Sequence, residues 1–150
     1  MTSLTVRKTI GAPIGLVFDT VSDINNFSQA VPHIVRAEIL SEVEKGVGTR
    51  FRETRLMRGK EATTELEVTE YEPNDRVRIV ADSHGTVWDS LFTVREVDGG
   101  TELEMTMEAR AHSFVARMMN PLVIKTIAGA VEGDMDCVKE YCERTARDAG

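Results

Sequence analysis

The chain has 150 residues, enough for a single domain (1–150) that buries roughly 70% of the surface its unfolded form exposes. Eighteen basic against 25 acidic residues leave a net charge of −7, which argues against a nucleic-acid partner or an anionic membrane surface. Residues 1–8 carry no apolar signal core, and no run of 18 apolar residues is read anywhere, so neither a secretory signal nor an integral membrane segment is expected.

In chain order, Leu4, Val6 and Ile10 alternate with Thr5, Arg7 and Thr9, a first strand that stops at Gly11-Ala12-Pro13. Pro13 then opens a helix, where its missing N–H costs nothing, and Ile14, Val17, Phe18 and Val21 form its apolar stripe. Ser22-Asp23 and Asn25-Asn26 break it, a second helical turn is expected at 27–31, and a strand at 37–42. Period-two alternation then runs for about 70 residues and predicts strands at 49–57, 61–71, 76–83, 86–97 and 101–111. Their connections are short and rich in turn formers: Arg58-Gly59-Lys60, Glu72-Pro73-Asn74-Asp75, His84-Gly85 and Asp98-Gly99-Gly100. Short connections between successive strands imply an antiparallel meander.

Alternation also assigns faces. Phe51, Glu53, Arg55, Met57, Leu66, Val68, Ile79, Trp88, Phe92, Met105 and Met107 share one side. Arg50, Arg52, Glu65, Glu67, Arg76, Arg78, Asp89, Arg95, Glu102 and Glu104 share the other, with signs that change from strand to strand, as cross-strand pairs on a wet surface require. The apolar side needs a cover, and residues 113–147 supply one. They read as a helix about 52 Å long whose apolar positions recur at three- and four-residue steps from Ile124 to Cys142. Pro121 lies inside this stretch and predicts a kink, or a true start near that residue. Cys137 and Cys142 would lie about 7.5 Å apart along the axis and diverge, a geometry that forbids a disulfide. Two free thiols suit a reducing cytoplasm.

The Pro-initiated helix with Val17-Phe18-Asp19-Thr20-Val21-Ser22-Asp23-Ile24, followed by Asn26-Phe27, Gly46-Val47-Gly48-Thr49, Tyr71-Glu72-Pro73 and a long C-terminal helix, resembles the START-like (SRPBCC) superfamily. Within it the chain looks most like the polyketide cyclase/dehydrase and lipid-transport branch. The resemblance covers essentially the whole chain and implies an α+β helix-grip fold. In that fold a bent antiparallel sheet of about seven strands wraps a long C-terminal helix, with two short helices at one end. Phe27 departs from the tryptophan that many members carry there.

The same resemblance implies a cavity between helix and sheet that takes a small hydrophobic or amphipathic molecule, lipid- or polyketide-like. Two alternatives stand beside binding. One is a cyclase, aromatase or dehydrase using the same cavity; the other is a protein-interaction module whose cavity is vestigial. The residues expected to line it are Phe51, Glu53, Arg55, Trp88, Phe92, Met105 and Met107 from the strands. Phe114, Met118, Met119 and Leu122 are expected from the first turns of the helix, where the apolar stripe broadens. Glu53 and Arg55 are the candidate catalytic pair, because two charged groups on an apolar wall must pair with each other, with water or with a ligand. Two roles are open to them: Arg55 anchoring an anionic ligand group while Glu53 orients it or takes a proton, or a structural ion pair at the cavity mouth. His33, His84 and His112 have no ligand spacing, so neither a metal nor another cofactor is expected.

Overall fold

Turn chemistry builds the sheet. Arg58-Gly59 and His84-Gly85 each hold both residues at positive φ, the two-residue connection whose twist matches the strands it joins. The computed structural model describes residues 2–149. Its elements are β1 (Thr2–Ile10), α1 (Ile14–Ser22), α2 (Ile24–Ala30), β2 (Ile34–Ile39), β3 (Arg50–Met57), β4 (Lys60–Glu72), β5 (Arg76–Ser83), β6 (Thr86–Val97), β7 (Gly100–Ala111) and α3 (Phe114–Ala149). The seven strands form one antiparallel sheet in the order β1-β7-β6-β5-β4-β3-β2, so the first strand closes against the last. With α1 and α2 at one end and α3 across one face, this is a helix-grip fold.

Two boundaries differ from the sequence expectation. The strand expected at 37–42 runs from Ile34 to Ile39, since Ile34 pairs with Arg55 across a register shift that the alternation did not reveal. The second short helix begins at Ile24, earlier than 27, because the Asp23 carboxylate caps it by accepting from the Asn25 N–H at 2.9 Å. A second register shift, between Val68 and Glu70, turns Tyr71 to the inner face. There its ring meets Phe18 edge-on, with centroids 5.3 Å apart.

The outer face carries the expected charge ladder. Arg52 bridges Glu38 and Glu65, Arg78 bridges Glu70 and Asp89, and Arg95 meets Glu102. The core lies on the other face, where Val17, Phe18 and Val21 of α1 meet Leu103 of β7 and Val131, Met135, Val138 and Cys142 of α3. The second half of α3 is also laced to β1: Lys8 Nζ lies 2.6 Å from Glu132 and 2.8 Å from Asp136, and the Gly11 N–H donates to Glu143 at 2.8 Å. Both thiols are free, and burial pushes that of Cys142 above its ordinary range.

α3 runs unbroken through Pro121, so the expected new start at that residue does not occur. Its rotation at the beginning is set by the β5–β6 hairpin. Ser113 Oγ accepts from the Ala116 N–H at 3.1 Å, and Gly85 approaches so closely that a Cβ there would lie 2.4 Å from Ser113 Oγ. One turn on, buried Asn120 Nδ2 donates to Thr86 Oγ1 at 3.2 Å. These contacts turn Ala116 and Asn120 to the protein and Phe114, Val115, Met118, Met119 and Leu122 to solvent. By length and composition alone α3 also contains a window apolar enough to cross a membrane, with Arg117 and Lys125 its only charges. Arg117, Asn120 and Lys125 interrupt that window, so it is not an uninterrupted apolar run of 18 residues. One helix that passes a test of length and composition is weak ground for a span.

Candidate functional site

Between α3 and the inner face of the sheet lies a cavity of about 320 Å³. Val21 and Ser22 of α1 and Ile24 and Phe27 of α2 line its inner end, and Phe27 stacks edge-on to Phe92 with centroids 6.3 Å apart. The strands contribute Phe51, Leu66, Ile79, Ala81, Trp88, Met105 and Met107, and α3 contributes Ile127, Ala130, Val131 and Met135. Strand register explains the assembly. Phe51 faces Leu66, Ile79 faces Ser90, Ala81 faces Trp88, and Phe92 faces Met105, so each pair lays two side chains beside each other on one face. Met57 and Ser83, at the ends of β3 and β5, mark the hairpin side of the wall.

Glu53 and Arg55 lie on this wall, and Arg55 sits between Glu53 and a third charged residue, Asp134. Arg55 Nε donates to Glu53 Oε1 at 3.0 Å, its Nη1 donates to Asp134 Oδ1 at 3.0 Å, and its Nη2 lies 2.8 Å from Asp134 Oδ2. The side chains are 21%, 13% and 14% exposed for Arg55, Glu53 and Asp134, so the cluster is largely withdrawn from water. Burial alone would lower the Arg55 pKa, but the hydrogen bond to Asp134 and the charges of Glu53 and Asp134 outweigh it and hold the guanidinium more firmly protonated than usual. The cluster ties β3 to α3 across the cavity, a largely buried pairing in which each charged side chain meets at least one of opposite sign.

Ser22 is the counterpoint. It is 7% exposed, lines the inner end, and its Oγ is the single buried side-chain polar atom without a hydrogen-bond partner among the described residues. Thr64, Ser83 and Ser90 add further hydroxyls to a wall that is otherwise mostly apolar.

All seven strand residues expected from the alternation, Phe51, Glu53, Arg55, Trp88, Phe92, Met105 and Met107, line the cavity. The four expected from the start of α3 do not: Phe114 is 73% exposed, Met118 and Leu122 are each 63% exposed and Met119 is 48% exposed, all outside the cavity wall. The cause is the rotation set by Gly85 and Asn120. Asp134 and Ser22 escaped the sequence reading. Asp134 had a usable signal, since it falls three residues after Val131 and four before Val138, a charge set within the buried stripe. Ser22 had none, being one polar residue among several that end α1.

A family model described as polyketide cyclase/dehydrase and lipid transport matches residues 1–143. A search of curated proteins finds no match. Among solved structures, the chain is similar to the Zhui aromatase/cyclase from Streptomyces sp. R1128, with a TM-score of 0.81, 18% identity, and coverage of 99% of this chain and 98% of that one. It is similar to a START superfamily protein from Mycobacterium smegmatis, with a TM-score of 0.78, 15% identity, and coverage of 95% and 98%. It also matches the di-domain aromatase/cyclase StfQ of steffimycin biosynthesis with a TM-score of 0.79 and 11% identity, over 96% of this chain but 51% of that one. At such identities these likenesses speak for the fold. The family match along nearly its whole length shows that this chain belongs to the family described as polyketide cyclase/dehydrase and lipid transport.

Proposed function

We propose that the protein binds a small, mostly apolar molecule between α3 and the sheet. The observation that supports this best is the cavity itself. About 320 Å³ is left unfilled in the middle of the fold, where ordinary cores are packed to crystal density. Its aromatic and methionine walls, Phe51, Trp88, Phe92, Met105 and Met107, suit a ligand of irregular apolar shape. The same volume weighs against a vestigial cavity. The two free thiols support a reducing, cytoplasmic setting.

Trp88 is the only tryptophan and lines the cavity, so its emission reports on occupancy directly. Saturable changes in Trp88 emission on titration with apolar probes are expected, together with a small molecule retained through native purification. Ala130→Phe, which puts bulk into the cavity from α3 without adding a second tryptophan, should abolish the saturable response while the far-ultraviolet circular dichroism stays the same. Absence of a saturable response in the unaltered protein, with nothing retained, would sink the reading.

An enzymatic use of the cavity, as in a cyclase or dehydrase, is the second reading. It is favoured by the carboxylates of Glu53 and Asp134 on an apolar wall, where a general base would sit beside a folded polyketide-like chain. Turnover of such a substrate that is lost in Glu53→Gln separates it from binding alone.

A further inference from the structure

The charges on the cavity wall do not balance. Among its lining residues Arg55 is the only basic one, and Glu53 and Asp134 are both acidic, so the formal charge of the cluster is −1. Arg55 is also already engaged. Its Nε is turned to Glu53, and Nη1 and Nη2 both face Asp134 in a two-pronged pairing. An arginine held this way is a poor anchor for an incoming anion, which would have to displace one protein carboxylate and would then lie near the other with little water between them. Glu53 meets Arg55 through Oε1, which leaves Oε2 outside that pairing, and the second lone pair of each Asp134 oxygen is still open to a donor.

Ser22 supplies an independent observation. A hydroxyl buried without a partner costs free energy until something bonds it, and Ser22, the last residue of α1 and on a different element from the ion cluster, lines the cavity with its Oγ withdrawn from solvent. The charged groups of the cavity wall therefore present acceptors in excess, carboxylate oxygens on β3 and α3, while the Ser22 hydroxyl can accept or donate.

Building on the ligand-binding reading, we propose that the cavity selects molecules whose polar group donates hydrogen bonds, a hydroxyl or an ammonium, over molecules that end in a carboxylate. Of the two roles open to Arg55 on sequence grounds, this sets aside the anchor for an anion and builds on the structural ion pair. Arg55 here holds two carboxylates in place, and the carboxylates face the ligand.

Three probes with one apolar body test this: octan-1-ol, octylamine and octanoate, titrated at pH 7 and followed by Trp88 emission and by calorimetry. Octan-1-ol and octylamine are expected to bind at least tenfold more tightly than octanoate. The preference should persist in 0.5 M NaCl, which screens the overall charge of −7 but not a contact inside the cavity. In Glu53→Gln/Asp134→Asn, where Arg55 is left as the only charge, octanoate should become the tightest of the three. Octanoate binding as well as the others to the unaltered protein, or a preference that vanishes in salt, would overturn the proposal and leave ligand binding intact. No response to any probe would overturn both. The unaltered protein at two salt concentrations decides the matter even if the double variant does not fold.

Discussion

The two halves of α3 rank in opposite order by apolar content and by burial: the first is the more apolar, and its large side chains are the more exposed. From Val131 to Cys142 the helix sets Val131, Met135, Val138 and Cys142 against the core, and ion pairs and a backbone contact tie its rim to β1. From Phe114 to Leu122 the large side chains face solvent, and the protein side is held by Ala116, small, and Asn120, polar. Apolar content says that a helix has something to bury; it does not say which way the helix is turned. The second half is turned by the summed burial of its stripe. The first half is turned by a glycine that allows close approach and by one amide–hydroxyl pair.

The contrast predicts very different sensitivities. Val138→Asp puts an unpaired charge where 0% of the side chain meets water, and should cost more than about 4 kcal/mol in urea unfolding, or prevent folding altogether. Asn120→Ala leaves the Thr86 hydroxyl without its partner and should cost about 1–3 kcal/mol. Asn120→Leu combined with Thr86→Val removes both polar groups and should recover most of that loss, which would identify the pair as a device for orientation more than for stability. Phe114→Ser with Met118→Ser, on the exposed side, should shift unfolding by no more than about 0.5 kcal/mol. A loss of several kcal/mol there would mean that the exposed side chains pack in solution, and the comparison between the two halves would fail.

The inner wall shows how far reading by alternation reaches. Strand parity located Phe51, Glu53, Arg55, Trp88, Phe92, Met105 and Met107 together, because a side-chain period of two leaves no other choice once a face is buried. It lost Tyr71, whose parity is inverted by the irregularity between Val68 and Glu70, and it mistook the start of β2 for the same reason. A helix has a softer rule. A stripe about 100° wide leaves its edges undecided, and at the start of α3 five large apolar residues outnumbered the two that are buried.

What the sequence determined by itself was local: turns that need positive φ, strands of period two, a proline-opened helix, a long apolar helix, and hence the antiparallel sheet and its covered face. Only the tertiary structure decided what meets across the cavity. Asp134 lies 79 residues from Arg55 in the chain, and no local pattern relates them. Their pairing exists because α3 crosses β3 at that height, and it changes Arg55 from a free cation into the middle of an acidic cluster. The same holds for Ser22, whose Oγ is left without a hydrogen-bond partner where the end of α1 meets the cavity wall. Charge balance and unmet hydrogen bonds are properties of a three-dimensional neighbourhood, and the chemistry proposed for this cavity rests on both.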